Sequence, residues 1–431
     1  MRIMMLSWEY PPKVIGGLAR AVADLSEALV ENGHEVSVVT SDHPDSPDTD
    51  YRSGVRVYRV NQHFPSPLGF LDNVLYMNYH LIQRAYQLWQ EESFDIIHAH
   101  DWLVAPAAKV LKHTFKIPLV ATIHATEWGR NGGLHNDLQR HISDVEWWLT
   151  YEAYRVICCS RYMQDELRRI FHLPDDKLAV IPNGVTLKNF TEVHSDLNAF
   201  RRQWALPEEK IVFFIGRHVH EKGVDVLLGA VPKILHHCPQ AKFIIAGTGP
   251  MHDSLKSQAY QMGIAHKVLF AGFIDDKTRN SLYKLADAAV FPSRYEPFGI
   301  VALEAMAAGA PCVVSDVGGL REIVRHGETG LTFYAGNSNS LADNVLTLLH
   351  DRHSASMMKK LAYHELLEKY DWSKIALQTV EEYERAIGLQ AAPGPVRRLK
   401  DDQTIYDRYH LTGNFPEERA ELYESSNHGR R

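Results

Sequence analysis

The sequence predicts an α/β protein built from two doubly wound domains in series. Short apolar runs alternate with helical patterns from the first residue: residues 3–6 have the length of a strand, and apolar side chains then recur at spacings of four, three and four over residues 18–29. Unbroken apolar strands between helices are typical of a parallel sheet that is covered on both faces. The alternation weakens around residues 184–210 and then restarts, which indicates a second domain of the same class.

The predicted strands fall into two groups, one for each domain. The first group comprises residues 3–6, 36–39, 96–97, 118–122, 156–157 and 178–181, and the second comprises residues 211–215, 242–246, 268–270, 288–291 and 311–315. We therefore expect domains at residues 1–190 and 191–370, followed by a final helix at residues 371–388. Residues 391–431 contain a Pro-Gly-Pro break and few aliphatic side chains, so we expect a loosely ordered tail.

Composition excludes several classes of protein. The 431 residues are 45% hydrophobic and 23% charged, which are ordinary values for a folded globular chain. A formal net charge of −7 disfavours general nucleic-acid binding, which needs a basic surface. No apolar run reaches the ~18–20 residues of a transmembrane helix, and the N-terminal run is too short for a secretory signal. The four cysteines match neither a zinc nor a disulfide spacing, so we expect buried thiols and a cytoplasmic protein.

Several residues that could carry chemistry follow predicted strands of the first domain. Ligands of doubly wound sheets bind at the carboxyl ends of the strands. Gly16 and Gly17 precede a helix whose free N–H groups suit an anion, although a simple tight turn is the alternative. Asp101 could accept hydrogen bonds from ligand hydroxyls. His124 could be a proton carrier, a hydrogen-bond donor or a structural cap.

Two ligand classes find little support in the first domain. His98 and His100 could bind a metal ion, but no third ligand stands at a natural spacing from them. A nicotinamide cofactor is disfavoured because no Gly-x-Gly-x-x-Gly motif follows the first strand.

The second domain begins with a candidate phosphate site. Arg217 and Lys222 flank the turn that follows its first strand. A planar guanidinium and a mobile ammonium group both suit phosphate oxygens. Two cations at a strand end of an acidic protein therefore favour a phosphate clamp over two solvated surface charges.

The most specific element runs from Glu296 to Glu304. Pro297 keeps Glu296 in an extended conformation, and Gly299 opens an apolar helix whose first N–H groups could hold a diphosphate. Glu304 lies inside this helix, where it could hydrogen-bond a ribose. The helix is too apolar to be a solvated surface helix, which argues against two ordinary surface glutamates.

Together these motifs resemble the retaining glycosyltransferases of family 4, which have the two-domain GT-B fold. The similarity covers residues 1 to about 387. Its motifs are the Gly-Gly loop at 16–17, the GR…EKG segment at 216–223, IPNGV at 181–185 and the Glu-x7-Glu pair at 296 and 304. Within the family, the bacterial glycogen-synthase-like α-glucan glucosyltransferases are most similar, through SWEYPP at 7–12, HAHDWL at 98–103, TIHATE at 122–127 and VEWWLTYE at 145–152.

The resemblance implies transfer of a sugar, glucose before others, from ADP- or UDP-glucose to an α-(1→4)-glucan with retention of the anomeric configuration. It also implies front-face attack without a protein nucleophile, so that the main task of the protein is to stabilise the leaving diphosphate. The expected partners are the nucleotide-sugar co-substrate and a hydroxyl acceptor. No metal and no other cofactor are expected.

The resemblance also implies roles for individual residues. The implied catalytic residues are His124, Arg217, Lys222 and Glu296. The implied donor-binding residues are Gly16, Gly17, Arg217, Lys222, Glu296, Phe298, Gly299, Ile300 and Glu304, with Gly272 and Phe273 near the base. The implied sugar-side or acceptor-side contacts are Asp101, His124 and Asn183. The final helix is expected to return to the first domain and pack on residues 1–180.

Two alternative functions stay open. The same fold could transfer a sugar to a lipid or a small molecule, because acceptor choice depends on loops at 65–73 and 128–137 that the sequence does not decode. The helix at residues 73–89 lacks the dense Lys/Arg cluster of membrane-surface helices, which favours a soluble acceptor. A catalytically silent nucleotide-sugar-binding protein is the alternative of another class, and the intact charged residues argue against it. The sequence leaves the oligomeric state open.

Overall fold

The computed structural model describes residues 1–61 and 69–391, which form an α/β fold with two separate sheets. The sheets belong to successive stretches of the chain, residues 2–180 and 210–333. The tail that we predict at 391–431 lies outside the described residues from position 392 onward, and so do positions 62–68, which include part of one proposed acceptor loop.

The first sheet has eight strands in the order β3-β4-β2-β1-β5-β6-β7-β8. All neighbouring strands are parallel except the pair β3–β4. The strands are β1 (Arg2–Leu6), β2 (Glu35–Ser41), β3 (Thr49–Arg52), β4 (Val55–Val60), β5 (Ile96–His100), β6 (Leu119–Ile123), β7 (Arg155–Cys158) and β8 (Leu178–Val180). The helices are α1 (Gly17–Glu31), α2 (Phe70–Glu91), α3 (Ala105–Phe115), α4 (Glu127–Asn131), α5 (Asp137–Glu152) and α6 (Arg161–Phe171).

The second sheet has six parallel strands in the order β11-β10-β9-β12-β13-β14. The strands are β9 (Lys210–Ile215), β10 (Ala241–Ala246), β11 (Val268–Gly272), β12 (Ala288–Phe291), β13 (Cys312–Ser315) and β14 (Leu331–Phe333). The helices are α7 (Leu197–Arg201), α8 (Val224–His237), α9 (His252–Gln261), α10 (Asp276–Leu285), α11 (Ile300–Ala307), α12 (Leu320–Ile323), α13 (Ser338–His350), α14 (Arg352–Lys369) and α15 (Trp372–Ala391). This architecture confirms the fold class predicted from the sequence.

Burial on both faces explains why the central strands read as unbroken apolar runs. Side chains alternate between the two faces of a strand. In β1, Met4 and Leu6 join one hydrophobic cluster, whereas Ile3 and Met5 join the cluster on the opposite face. A strand with two buried faces needs apolar residues at every position, which is the pattern of a doubly wound parallel sheet.

The sequence analysis did not predict strands β3, β4 and β14, because they lack an unbroken apolar run. Strand β3 has no fully buried residue, and β4 alternates apolar and polar residues because the pair lies at the open edge of the first sheet. Strand β14 has only three residues and lies at the edge of the second sheet. A search for unbroken apolar runs therefore finds strands that are buried along their length, and it also found the edge strands β8 and β11, but it misses strands that are partly exposed.

The final helix, α15, packs against the first sheet although it follows the second domain in the sequence. Trp372, Ile375 and Tyr383 are buried in the same hydrophobic cluster as Ile3 and Met5 of β1. The indole Nε1 of Trp372 also donates a 3.1 Å hydrogen bond to Asp24 of α1, which adds a directional contact to the apolar one. The helix thus ties the end of the described chain to its beginning.

The structure places the four cysteines and shows the character of the helices. All four cysteines are buried, as expected for small apolar side chains. Within residues 1–61 and 69–391, none of the helices combines the length and the apolar character that are needed to cross a membrane.

The close approach of α15 to residue 184 makes a prediction about stability. A Cβ atom added to Gly184 would lie 2.8 Å from Cδ2 of Trp372 and 2.9 Å from the carbonyl oxygen of Tyr370. Gly184→Ala should therefore lower the free energy of unfolding by about 1–3 kcal/mol, as overpacking does. Gly388→Ala is the matched control, because nothing lies within 4 Å of its added methyl group. Equal stabilities of the two variants in urea would contradict this packing.

Candidate active site

The polar residues singled out from the sequence lie after the carboxyl ends of strands in both sheets. In the first domain, Asp101 follows β5, His124 follows β6 and Asn183 lies three residues beyond β8. In the second domain, Arg217 follows β9 and Glu296 follows β12. Since neighbouring parallel strands end at the same edge of a sheet, each domain presents its candidates along one edge.

Three histidines form a row beside the end of β5 and β6. His98 is fully buried, and its two ring nitrogens lie 2.7 Å from the hydroxyl of Tyr383 and 2.7 Å from that of Thr122. The rings of His98 and His100 are 4.1 Å apart between centroids. Nδ1 of His100 then lies 3.2 Å from Nε2 of His124. The row therefore runs from α15, through the first sheet, to the candidate catalytic histidine.

Burial keeps these histidines neutral. It lowers the pKa of His98 to about 3 and the pKa of His100 well below its ordinary value. Burial also lowers the pKa of His124, although the nearby charge of Asp101 partly opposes the shift. A neutral imidazole donates one hydrogen bond and accepts one. Of the three roles considered for His124, a hydrogen-bonding role thus fits its environment best.

Asp101 holds a strained backbone conformation next to His124. Its φ of 62° and ψ of 172° lie in a region that residues other than glycine rarely adopt. One carboxylate oxygen accepts a 2.7 Å hydrogen bond from the backbone N–H of His124, and the Asp101 N–H donates to Thr122. The side chain that we expected to face ligand hydroxyls therefore also fixes the backbone of the neighbouring strand end.

The glycine loop of the first domain contains an acidic partner of its own. Glu9 is 2% exposed, and its carboxylate accepts a 2.6 Å hydrogen bond from the N–H of Ile15 and further bonds from Gly16 and Ala19. Burial raises the pKa of Glu9, and these backbone bonds oppose the rise. Some of the N–H groups that we expected to bind a diphosphate are thus directed at Glu9 in this structure.

The glycine loop also lies against the second domain. A Cβ atom added to Gly17 would be 3.0 Å from Cδ1 of Ile300. Gly17 is the first residue of α1 and Ile300 is the first residue of α11, so the N-termini of the two helices are adjacent. Both helix dipoles place partial positive charge at this junction, which favours an anion there.

The two candidate cations of the second domain are each paired with a carboxylate. Nζ of Lys222 lies 2.7 Å from Oε2 of Glu296, and the same oxygen accepts a 3.0 Å hydrogen bond from Ser293. Arg217 is more exposed and pairs with Glu221 at 3.1 Å. The structure therefore joins Lys222 and Glu296, two residues 74 positions apart that the sequence analysis assigned to the same site.

The segment from Phe298 to Glu304 is buried in the second domain. Phe298 is 5% exposed, and Gly299 has a φ of 115°, which an L-residue with a side chain rarely adopts. Gly299 is also the residue that precedes α11. This glycine is therefore required where the chain turns into the helix, and it leaves the N–H groups of the first helical turn without a side-chain cap.

Glu304 forms a buried charge network that crosses between the domains. One of its oxygens lies 3.1 Å from Arg20 of α1 and 3.5 Å from Arg279 of α10. Arg20 also pairs with Asp276 at 2.7 Å. Burial raises the pKa of Glu304 to about 7, even though the charge of Arg20 lowers it. The carboxylate that we expected to bind a ribose is thus paired with arginines in this structure.

Tyr295 joins the domains beside the candidate residues. Its hydroxyl accepts a 3.3 Å hydrogen bond from the N–H of Thr126 and donates a 2.9 Å bond to Glu166. The hydroxyl of Thr126 donates to the same oxygen of Glu166 at 2.6 Å. Tyr295 immediately precedes Glu296, and Thr126 lies two residues beyond His124. This junction therefore brings the segments that carry Glu296 and His124 together.

A second junction lies next to the first. The hydroxyl of Ser160 donates a 2.6 Å hydrogen bond to the carbonyl oxygen of Pro297. The backbone N–H groups of Arg161 and Tyr162, at the N-terminus of α6, donate to the carboxylate of Glu322. A carboxylate of the second domain thus caps a helix of the first domain.

The remaining candidates occupy more peripheral positions. Asn183 is 9% exposed and borders a small cavity together with His100 and His124. Gly272 ends β11, and its carbonyl oxygen accepts a hydrogen bond from Gly247. The adjacent Phe273 is 85% exposed, so its ring is available to a ligand. Across residues 1–61 and 69–391, no group of three or more potential ligands is arranged to hold a metal ion.

Comparisons with known proteins show the family to which the chain belongs. The family profile described as Glycosyltransferase Family 4 matches residues 15–189, and that described as Glycosyl transferases group 1 matches residues 196–365. An uncharacterized glycosyltransferase of Methanocaldococcus jannaschii is 42% identical over 395 residues, which are 90% of this chain and 99% of that protein. The chain belongs to glycosyltransferase family 4.

Two further relatives place this glycosyltransferase within the family. The glycogen synthase of Mycobacterium tuberculosis is 38% identical over 413 residues, which are 92% of this chain and 97% of that protein. The solved structure of sucrose-phosphate synthase from Thermosynechococcus elongatus has a TM-score of 0.78 and 26% identity, and it covers 90% of this chain and 99% of that chain. The two sheets of this glycosyltransferase are thus the two halves of a GT-B fold.

Three residues of the candidate site were missed by the sequence analysis. Arg20 and Tyr295 form contacts between the two domains, and no local sequence pattern predicts such contacts. Glu9 is a different case, because a glutamate three residues beyond an apolar strand and seven before Gly16 is a visible signal. It could have been found by asking which acidic side chain can reach the N–H groups of the glycine loop.

The charge network of Glu304 leads to a titration experiment. Arg20→Met should raise the pKa of Glu304 above about 7, because the guanidinium that stabilises the carboxylate is lost while burial remains. The carboxyl ¹³C resonance, assigned with Glu304→Gln, reports this pKa directly. Arg294→Met is the matched control and should leave it unchanged, since Arg294 pairs with Asp225. A midpoint that stays or falls in Arg20→Met would contradict the network.

Proposed function

We propose that this protein is a retaining glucosyltransferase that transfers glucose from ADP- or UDP-glucose to an α-(1→4)-glucan. Membership of the family gives glycosyl transfer, and the 38% identity to a mycobacterial glycogen synthase over nearly its whole length supports a glucan acceptor. The charged residues after β9 and β12 support a donor with a diphosphate group.

One observation carries the proposal: the buried junction at Tyr295. It joins the residue that precedes Glu296 to the segment that begins with His124. A glycosyl transfer between two domains requires that donor-side and acceptor-side groups reach the same reacting carbon. The junction supports this requirement, because Glu296 directly follows Tyr295 and His124 lies two residues before Thr126.

The proposed chemistry depends on charge stabilisation at the leaving group. As the bond between the anomeric carbon and the diphosphate breaks, negative charge grows on the diphosphate oxygens, and preorganised cations and N–H groups lower the energy of that state. Arg217 and Lys222 supply the cations in our proposal. The uncapped N-terminus of α11 supplies backbone N–H groups.

The ion pair of Lys222 and Glu296 joins a cation that suits phosphate oxygens to a carboxylate that suits sugar hydroxyls. Nζ of Lys222 lies 2.7 Å from the Glu296 carboxylate. When a diphosphate binds, the ammonium group can turn to it, and the carboxylate becomes available to sugar hydroxyls. His124, as a neutral imidazole, then hydrogen-bonds a sugar hydroxyl from the other side of the cleft.

The acceptor attacks from the face that the diphosphate leaves, which keeps the anomeric configuration. We propose that the acceptor hydroxyl passes its proton to an oxygen of the departing diphosphate, so that the protein itself supplies no base. Asp101 and Asn183 stand on the first-domain side of the cleft in this scheme. They orient sugar hydroxyls there.

A donor and acceptor screen tests the proposal. Purified protein is incubated with ADP-glucose, UDP-glucose and other nucleotide sugars, each with and without glycogen or maltooligosaccharides, while release of the nucleoside diphosphate is followed. Release that requires glucan is the expected result and identifies the donor. Release that is independent of glucan, or that appears only with lipid or small-molecule acceptors, would contradict the glucan assignment. Absence of turnover with every pair would contradict the proposal as a whole.

The phosphate clamp has a sharper test by substitution. Lys222→Ala and Arg217→Ala should each lower kcat by about 10²–10³-fold, as removal of one preorganised donor does, while the proteins stay folded. Lys233→Ala is the control, because Lys233 also forms an ion pair in the second domain, with Asp343 of α13, but lies near the C-terminus of α8 and not after the carboxyl end of a strand. Turnover near wild type in both site variants would refute the clamp.

A further inference from the structure

His100 is buried next to the candidate catalytic histidine, and no role in the proposed reaction has been given to it. It is 1% exposed, its Nδ1 lies 3.2 Å from Nε2 of His124, and its ring stands 5.5 Å from that of His124 between centroids. Nε2 of His100 is buried and has no hydrogen-bond partner within the described part of the chain. Burying a polar atom in this way costs free energy, so its retention calls for a physical reason.

A small cavity lies beside His100. His100 borders a space of about 20 Å³ that is also lined by Asn183, Trp372 and Thr379. A cavity of this size, with polar groups in its wall, can hold one water molecule. A water there can donate to Nε2 or accept from it, so the cavity does not impose one tautomer on the ring.

Because the rings of His100 and His124 are both neutral, the hydrogen bond between them restricts which of their nitrogens bear protons. With both imidazoles neutral, one proton lies between Nδ1 of His100 and Nε2 of His124, and one ring donates while the other accepts. The choice fixes the other nitrogen of His124 in the opposite role. A ring tethered at Nε2 is also held at a defined rotation, which a free ring is not.

We propose that His100 is a positioning residue that orients the ring of His124, and couples its tautomer to that of His100, through the hydrogen bond between Nδ1 and Nε2. The proposal rests on the proposed function, because it assumes that His124 meets the sugar. His98 supports the arrangement from behind, since its ring lies against that of His100 and is held by Tyr383 and Thr122. Helix α15 thereby contributes, through Tyr383, to the orientation of His124.

A simpler interpretation is that His100 only fills space at the carboxyl end of β5. In that reading, any side chain of similar size that leaves the fold intact would serve. The two readings differ in which atom of the imidazole matters. Only the positioning role requires a polar atom at the place of Nδ1.

Two amide variants separate these readings. The side-chain amide of Asn can reach the position of Nδ1, and that of Gln can reach the position of Nε2. His100→Asn should therefore keep most of the wild-type kcat, whereas His100→Gln should lose about 10²-fold, the scale expected when a reacting group is misplaced by about 1 Å. KM for the donor should change little in both, because the phosphate clamp lies in the second domain.

The measurement has two readouts for each variant and for wild type. Steady-state kinetics gives kcat and KM, and ¹⁵N resonances of the His124 ring, in protein labelled at histidine, report which nitrogen bears the proton. Melting temperatures accompany both, so that loss of folding is recognised. The expected result is that the tautomer populations of His124 stay close to wild type in His100→Asn, which keeps a polar atom at the place of Nδ1, and change in His100→Gln.

Equal kcat values in the two amide variants, or losses that follow the melting temperatures, would overturn the proposal. An unchanged His124 tautomer in His100→Gln would overturn it as well. If wild type turned over no nucleotide sugar, the proposed function would fail instead. The ring resonances would still decide whether His100 orients His124.

Discussion

Tyr295 makes the contact on which the geometry of the site depends. The two halves of the molecule each fold around their own sheet, so nothing within either half determines how far His124 lies from Glu296. The hydroxyl of Tyr295 joins the two halves nearest to these two residues, through buried hydrogen bonds with Thr126 and Glu166. The contacts of Ser160, Glu322 and Glu304 add to it. Burial and Glu166 raise the pKa of this phenol well above its ordinary value, so the hydroxyl stays protonated and able to donate.

Charge pairing is the second interaction that holds the side chains of the candidate site in place. Each of the charged residues that we assign to the donor has a partner of opposite sign within 3.1 Å, which reduces the cost of holding charges at a partly buried site. The same pairing means that a donor exchanges partners with the protein when it binds. Our proposed mechanism uses this exchange at Lys222 and Glu296, where one carboxylate holds the ammonium group before the diphosphate does.

The sequence was sufficient for the features whose cause is local. Unbroken apolar runs predicted the central strands, because strands buried on both faces need apolar residues throughout. Glu296 and Glu304 were found because a proline, a glycine and an apolar helix stand in fixed order between them. Strands β3, β4 and β14 were missed because each contains exposed or half-exposed positions that interrupt the apolar run.

Contacts between distant segments could not be predicted in the same way. Arg20 and Glu304 are 284 positions apart, and neither flanking sequence indicates the other. The row of histidines is an intermediate case: His98 and His100 were recognised as a pair, but their partners Tyr383 and His124 come from a distant helix and a neighbouring strand. The sequence showed neither that these rings pack in a row nor which residues hold them.

A crystal structure of the protein with a bound nucleoside diphosphate, ADP or UDP, tests the central claim most directly. We expect the diphosphate between α11 and the end of β9, with its oxygens about 3 Å from the side-chain nitrogens of Arg217 and Lys222. The contact between Lys222 and Glu296 should be lengthened in that complex. A diphosphate that binds away from this junction, with the Lys222–Glu296 pair intact, would contradict the account.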